Sequence, residues 1–245
     1  MSENNFPDTY VAVDLETTGL SPENDRILEI GAVKIEKGQV TDTFCTFVDP
    51  EMEVPERIRE LTGISTDMVK GQPGAEAAFE SFAAFCGDMD LMGHNLPFDY
   101  SFLKVQAVRQ KLPFEKRGID TLQIARGLLA DLESRSLSSL CSCFGIQRAR
   151  AHRALDDAMA THQLYLCLRQ KAKEEALFLP KPLMYRPKRQ SPATISQKRY
   201  LKDLIKYHRI ELDMDPDSLT KSEASRMIDR IILNYGKCTG RRDNR

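Results

Sequence analysis

The sequence predicts an α/β fold: a mixed sheet flanked by helices, with a small helical module at the C-terminus. Three observations predict it. Strand-like runs stand in a row at 11–13, 27–35 and 40–48. Short apolar runs then alternate with helical stripes as far as residue 173, and from Pro180 the texture changes to prolines and bases. Consecutive strands read as a meander, and strand–helix alternation adds parallel strands, so the sheet is mixed.

Residues 11–13, Val-Ala-Val, are apolar and rich in β-branching, as a buried strand requires. Asp14 and Glu16 interrupt the run. Strand side chains alternate between faces, so both acids point the same way, roughly 7 Å apart. Two like charges at the end of a buried strand are costly unless something positive sits between them. A divalent cation, which prefers oxygen ligands, would meet that need. Thr17-Thr18-Gly19 follows as a turn whose backbone a ligand could approach closely. A strand that merely ends in a polar turn would carry the same Asp-x-Glu, so the pair alone decides nothing.

The second strand, 27–35, returns through a turn at 36–39 into the third, 40–48. Residues 55–61 read as a short helix, with Pro55 where proline is tolerated. Ala75, Ala78, Phe79, Phe82 and Phe85 form a helical stripe over 74–86. A brief buried strand at 91–93 ends in His94-Asn95-Leu96-Pro97-Phe98-Asp99, and a helix runs from near Pro97 to Arg109. A strand at 118–120 leads into a helix over 121–129; a short helix over 136–144 and a long one over 153–173 complete the body.

Pro180, Pro182, Pro187 and Pro192, interleaved with Lys181, Arg186, Lys188 and Arg189, read as a stiff basic linker. Tyr200, Leu201, Leu204 and Ile205 mark one amphipathic helix. Thr220-Lys221-Ser222-Glu223 is a capping box that opens another, with Ala224, Met227, Ile228, Ile231 and Ile232 on one face. The expected units are 1–176, a linker over 177–192, and a helical module over 193–245.

The chain has 245 residues, 41% hydrophobic and 29% charged, which suits a soluble globular protein. Its net charge of −1 hides an asymmetry. Up to Leu179 there are 19 Lys+Arg against 28 Asp+Glu, and beyond it 16 against 8. An acidic body suits metal binding, and a basic tail is drawn to polyanions. Residues 1–5 are polar and lack the apolar core of a signal peptide, and no run is long enough for a membrane span. The six cysteines show no CxxC pair. Free, mostly buried thiols in a reducing cytoplasm are expected.

Three acidic motifs fall at the ends of elements: Asp14-x-Glu16, His94-Asn95-x-x-Phe98-Asp99, and His152-Arg153-Ala154-Leu155-Asp156-Asp157. In α/β sheets such ends gather at one rim, where ligands bind. With Leu61-Thr62-Gly63-Ile64 and Ile119-Asp120-Thr121-Leu122, these motifs resemble the DEDDh (DnaQ-like) family of 3′–5′ exonucleases. That family includes the epsilon proofreading subunit of bacterial DNA polymerase III and the exonuclease domains of bacterial replicative polymerases. The resemblance spans about residues 8–172.

The resemblance implies a ribonuclease H-like sheet and phosphodiester hydrolysis from a 3′ end, releasing nucleoside 5′-monophosphates. It implies two divalent ions about 4 Å apart, which neutralise the attacking and leaving oxygens. Asp14 would bridge them, with Glu16, Asp99 and Asp157 completing the shells. Magnesium or manganese suits an all-oxygen ligand set. His152 would be the general base. Thr17, Thr18, Gly19, Leu20, Asn95 and Phe98 would hold the terminal nucleotide, with His94 in the same motif, and Asp120 would be structural support. The expected partner is nucleic acid, single-stranded DNA before RNA, in replication or repair. A polymerase or another nucleic-acid-processing protein could dock through the basic C-terminal module; no membrane is involved. The alternatives are an exoribonuclease, a polymerase-docking subunit, and a silent nucleic-acid binder, against which the intact set of five residues speaks. Asp156 is expected as a solvated or helix-N-terminal charge, and His162 and His208 as packed or surface histidines rather than ligands.

Overall fold

The first strand, β1 (Tyr10–Thr17), lies inside the sheet and carries the first two acids at its end. The structure is a computed structural model and describes residues 6–172, 175–187, 191–211 and 215–238. Residues 1–5, Lys173 at the expected end of the long helix, and Lys188 and Arg189 of the expected linker lie outside the described residues. β2 (Ile27–Glu36) and β3 (Gln39–Phe47) complete the meander. There follow α1 (Glu56–Thr62), α2 (Thr66–Val69), α3 (Ala75–Cys86), β4 (Leu91–Gly93), α4 (Leu96–Arg109) and β5 (Arg117–Asp120). Next come α5 (Thr121–Leu128), α6 (Leu137–Phe144), α7 (Ala154–Lys171), β6 (Lys181–Pro182), α8 (Ile195–His208) and α9 (Lys221–Tyr235). The strand order is β3-β2-β1-β4-β5-β6. β4 and β5 run parallel to β1, and the remaining neighbours are antiparallel, so the sheet is mixed as the sequence predicts.

Alternation along β1 sorts its side chains between two layers. Val11, Val13 and Leu15 pack against Phe79 and Phe82 of α3 and Tyr100, Phe102 and Leu103 of α4. Tyr10 and Ala12 pack on the other face with Ile124, Leu140, Leu164, Tyr165 and Leu168 of α5, α6 and α7. Asp14 and Glu16 continue the Tyr10–Ala12 row, which aims them at the start of α7. Asp14 stands opposite Gly31 of β2. A Cβ at Gly31 would overlap the backbone of Ala154 and Leu155, so this glycine lets the first turn of α7 lie directly on the sheet beside the acids.

Two elements have no counterpart in the sequence reading. α2 is one turn long, too short for a periodic signal. β6 holds two residues, one of them Pro182, at a sheet edge where proline is tolerated. It falls in the stretch expected as a linker. Leu183 N donates to Lys116 O at 2.8 Å, and Leu183 and Tyr185 pack against the core, so this part of the stretch straps the edge of the sheet.

α8 and α9 bury their own small core of Leu201, Leu204, Leu219, Ala224 and Ile231. Both open with capping boxes, Thr194 with Gln197 and Thr220 with Glu223. They touch the body through Arg26–Asp229 at 3.5 Å and through Arg230–Glu51. The six cysteines are free as expected, but only Cys86 and Cys141 are buried. Among the described residues no helix is long and apolar enough to cross a membrane.

Gly31→Ala tests the close approach of α7. Its methyl would meet backbone, which cannot rotate away, and overpacking of this kind costs about 3 kcal/mol. Urea unfolding of the variant should show a loss of that size.

Candidate active site

The acids converge where β1, α4 and α7 meet. Asp14 is half-buried, and Glu16, Asp99 and Asp157 are buried. Asp99, in the first turn of α4, accepts a hydrogen bond from Leu15 N at 3.0 Å, which ties that helix to β1 between the two strand acids. Asp157, in the first turn of α7, accepts from His152 N at 3.0 Å. His152 adopts a left-handed backbone, φ 60°, an uncommon conformation for a non-glycine residue and frequent at functional sites. Ligand atoms of Glu16, His152 and Asp157 all lie within 4.8 Å of one another.

Burial first, then repulsion from Asp99, Glu16 and Asp157, holds the Asp14 carboxyl well above the ordinary carboxylate range. Burial, reinforced by Asp157 and Glu29, pushes Glu16 up to about 8. Burial likewise raises Asp99 to about 8, against the pull of the Leu15 hydrogen bond. Carboxyls held this way mark a site short of positive charge. The donors are carboxylate oxygens with one imidazole at their side, and this set fits hard divalent cations.

A second set of residues holds the first in place. Glu29 of β2, 1% exposed, accepts from Arg153 Nη2 at 2.7 Å, from Arg153 Nε at 3.1 Å and from Ala154 N at 3.1 Å. It thereby anchors the start of α7, and its partner in the β1–β2 register is Glu16. Arg148 donates to Asp157 Oδ1 at 2.8 Å and to Ser138 Oγ at 2.7 Å. Asp120 Oδ1 accepts from Leu122 N and Asn95 N, each at 2.9 Å, joining the starts of α5 and α4. Neither Glu29 nor Arg148 stood out in the sequence analysis. The one signal for Glu29 was a carboxylate inside an apolar strand run, which demands a partner; a loop arginine such as Arg148 carries none.

The residues expected to hold a nucleotide divide in two. Thr17 and Thr18 are buried, and their hydroxyls serve the turn: Thr17 Oγ1 donates to Gly19 O at 2.7 Å, and Thr18 Oγ1 accepts from Arg26 N at 2.9 Å. Gly19 leaves room for the Asp25 carboxylate, which a Cβ would overlap. Leu20 projects from the same turn at 84% exposure. Asn95 is exposed, with φ 70°. Phe98 is half-buried against Phe102, with ring centroids 5.2 Å apart. His94 has both ring nitrogens engaged, with Thr121 Oγ1 at 2.9 Å and the Arg135 carbonyl at 2.8 Å, and burial lowers its pKa. Outside the cluster, Asp156 pairs with Arg150 at 3.3 Å. His162 is buried against the Tyr10 hydroxyl at 3.0 Å, and His208 meets the Gly236 carbonyl at 2.9 Å.

A family model described as an exonuclease (RNase_T) matches residues 11–165, a span that holds every one of these acids. The chain is a member of the DnaQ-like DEDDh exonuclease family. The exonuclease body is 41% identical over 173 residues to the DNA polymerase III PolC-type of Clostridium perfringens (strain 13 / Type A), covering 71% of this chain. The chain spans only 12% of that relative's length. Among solved structures, the fold is similar to the nuclease domain of 3′hExo, a DEDDh family member, bound to rAMP. That likeness has a TM-score of 0.62 at 20% identity and covers 75% of this chain and all of the other. It is also similar to Exonuclease X in complex with 5′ overhanging duplex DNA, with a TM-score of 0.54 at 23% identity, covering 69% of this chain and 96% of that one. DEDDh exonucleases use divalent metal ions, in keeping with the donor set.

The Glu29–Arg153 clamp gives a test of how the site is held. Arg153→Ala leaves a buried carboxylate uncompensated, which costs about 3 kcal/mol. Adding Glu29→Gln removes that charge and should recover part of the loss, as read by urea unfolding of both variants.

Proposed function

We propose that the chain is a metal-dependent 3′–5′ exonuclease that removes nucleoside 5′-monophosphates from nucleic acid, single-stranded DNA before RNA. The observation that carries the reading is the meeting of Asp14, Glu16, Asp99 and Asp157 at one rim of the sheet with His152 beside them. Two divalent ions, magnesium or manganese, held by these four acids would supply the neutralising charge on the attacking and leaving oxygens. The chain's own residues do the rest. The imidazole of His152 takes the proton of the attacking water, and its left-handed backbone presents the ring beside Glu16 and Asp157. Leu20, exposed on the turn after β1, packs against the terminal base, and the half-buried Phe98 ring offers it a stacking face. The Thr17–Gly19 backbone and Asn95 position the terminal sugar and phosphate. His94, with both nitrogens engaged, contributes by tying β4 to α5 and to the loop before α6.

DNA is favoured because the similar curated relatives are DNA polymerases of the PolC type. The same likeness supports work beside a polymerase in replication or repair, and the basic balance of the tail supports the C-terminal helices as the docking part. The test is degradation of 5′-labelled single-stranded DNA and RNA of one sequence, with magnesium, manganese or EDTA. The expected result is a metal-dependent ladder shrinking from the 3′ end, faster on DNA. Asp14→Ala should slow it at least about a hundredfold, since even residues behind metal ligands are worth 10- to 100-fold. No ladder on either polymer would refute the reading.

A further inference from the structure

Leu20, 84% exposed, stands on the turn that leaves the acids of β1, and this turn is closed on itself. Thr18 N donates to Arg26 O at 2.8 Å, Asp25 N to Ser21 O at 2.7 Å and Ser21 N to Asp25 Oδ2 at 2.8 Å. The Asp25 carboxylate also fills the space where a Cβ on Gly19 would sit. A segment bonded to itself in this way moves as one piece, so a hold on any of its residues is a hold on Leu20.

Glu23, in the middle of the turn, is held from two sides. Its carbonyl accepts from Arg109 Nη2, at the end of α4, at 3.2 Å. Its carboxylate accepts from the Tyr185 hydroxyl at 2.6 Å. A hydroxyl–carboxylate bond of this length is of the strong, charge-assisted kind. Burial, then the bond to Glu23, raises the Tyr185 hydroxyl above its ordinary range, so it keeps the proton it donates. Tyr185 is itself well fixed. Its ring packs on the core of β1, α3 and α4, and Leu183 just before it is bonded to Lys116 O. The far end of the turn is reached from α9, where Asp229 pairs with Arg26 at 3.5 Å.

α4 ends on this turn and carries Phe98 at its start, roughly 16 Å away along the helix axis. Phe98 is thus placed by a helix, whereas Leu20 is placed by a loop. A loop side chain that must be ordered by each incoming strand gives up affinity, and a tether made beforehand removes that cost.

We propose that Tyr185 is a positioning residue: through Glu23 it holds the turn so that Leu20 meets the base at the 3′ end. This inference rests on the exonuclease reading. It gives the segment that follows the exonuclease body a task in seating the substrate without touching nucleic acid.

The test follows cleavage of 5′-labelled single-stranded DNA by the full chain in magnesium. Tyr185→Phe deletes one hydroxyl and keeps the packing ring. It should raise KM about fivefold and keep kcat within about twofold of the wild type, the mark of lost uniform binding. Leu20→Ala should raise KM too, and Tyr185→Phe added to it should raise KM no further, because both act through one contact. Hydrogen exchange of the Ser21 and Asp25 amides should quicken in Tyr185→Phe, a readout independent of cleavage. Unchanged KM or unchanged exchange in Tyr185→Phe would overturn the proposal. So would a fall in kcat alone, or the same rise in KM when Tyr185→Phe is added to Leu20→Ala. Failure of the exonuclease reading would show differently, as a wild-type chain that leaves the DNA uncut while exchange still quickens on loss of the hydroxyl.

Discussion

Repulsion among Asp14, Glu16, Asp99 and Asp157 in a largely buried setting shapes the whole rim of the sheet. Left to themselves, such charges would push β1, α4 and α7 apart. The fold holds them together with fixed positive groups placed one step back. The Leu15 N–H meets Asp99, the His152 N–H and Arg148 meet Asp157, and Arg153 meets Glu29 behind Glu16. The start of α7 adds the positive end of its dipole, and the bare Gly31 lets it come close enough to act. None of these groups neutralises Asp14, whose carboxyl stays well above the ordinary range. What remains is a demand for cations, and it explains why a site of this kind is built from a strand end and two helix starts.

Much of this was legible in the sequence because it is local. Alternation along a strand is enough to put Asp14 and Glu16 on one face, and the structure aims them both at α7. The strand and helix boundaries followed from apolar periodicity, and the order of strands then helices implied the mixed sheet. The supporting contacts were not legible, since they join residues far apart. Glu29 and Arg153 are separated by most of the body, and only the rule against unpaired buried charge hinted at a partner. His94 sits in a motif expected to face substrate, yet its ring is spent on Thr121 and Arg135, a choice set by tertiary packing. β6 was hidden because two residues with a proline carry no strand signal.

The C-terminal helices pose a different problem. The Thr220–Glu223 capping box and the apolar faces were plain, the Thr194–Gln197 box came only with the structure, and the two helices form a core of their own. Their position against the body was not readable, because it depends on exposed charges such as Asp229 and Arg230 finding Arg26 and Glu51. The strap of β6, Leu183 and Tyr185 along the sheet edge, with the Tyr185 hydroxyl donating to Glu23 at 2.6 Å, leads the chain toward that side. A segment that by composition reads as a free linker is thus partly bound.

The central claim is that the acids at the end of β1 are held together against their own charge and need a cation in place of protons. Thermal unfolding from pH 5 to 9, in EDTA and in magnesium, tests it most directly. Glu16 and Asp99, raised to about 8 in the folded chain, hold protons there that they release when unfolded. Their contribution to stability is therefore full below the ordinary carboxylate range and is lost as pH rises through about 8. In EDTA the melting temperature should fall across that window. In magnesium the fall should disappear, because the ion replaces the protons and binds more tightly as the ligands deprotonate. The same pH course with and without magnesium would contradict the account.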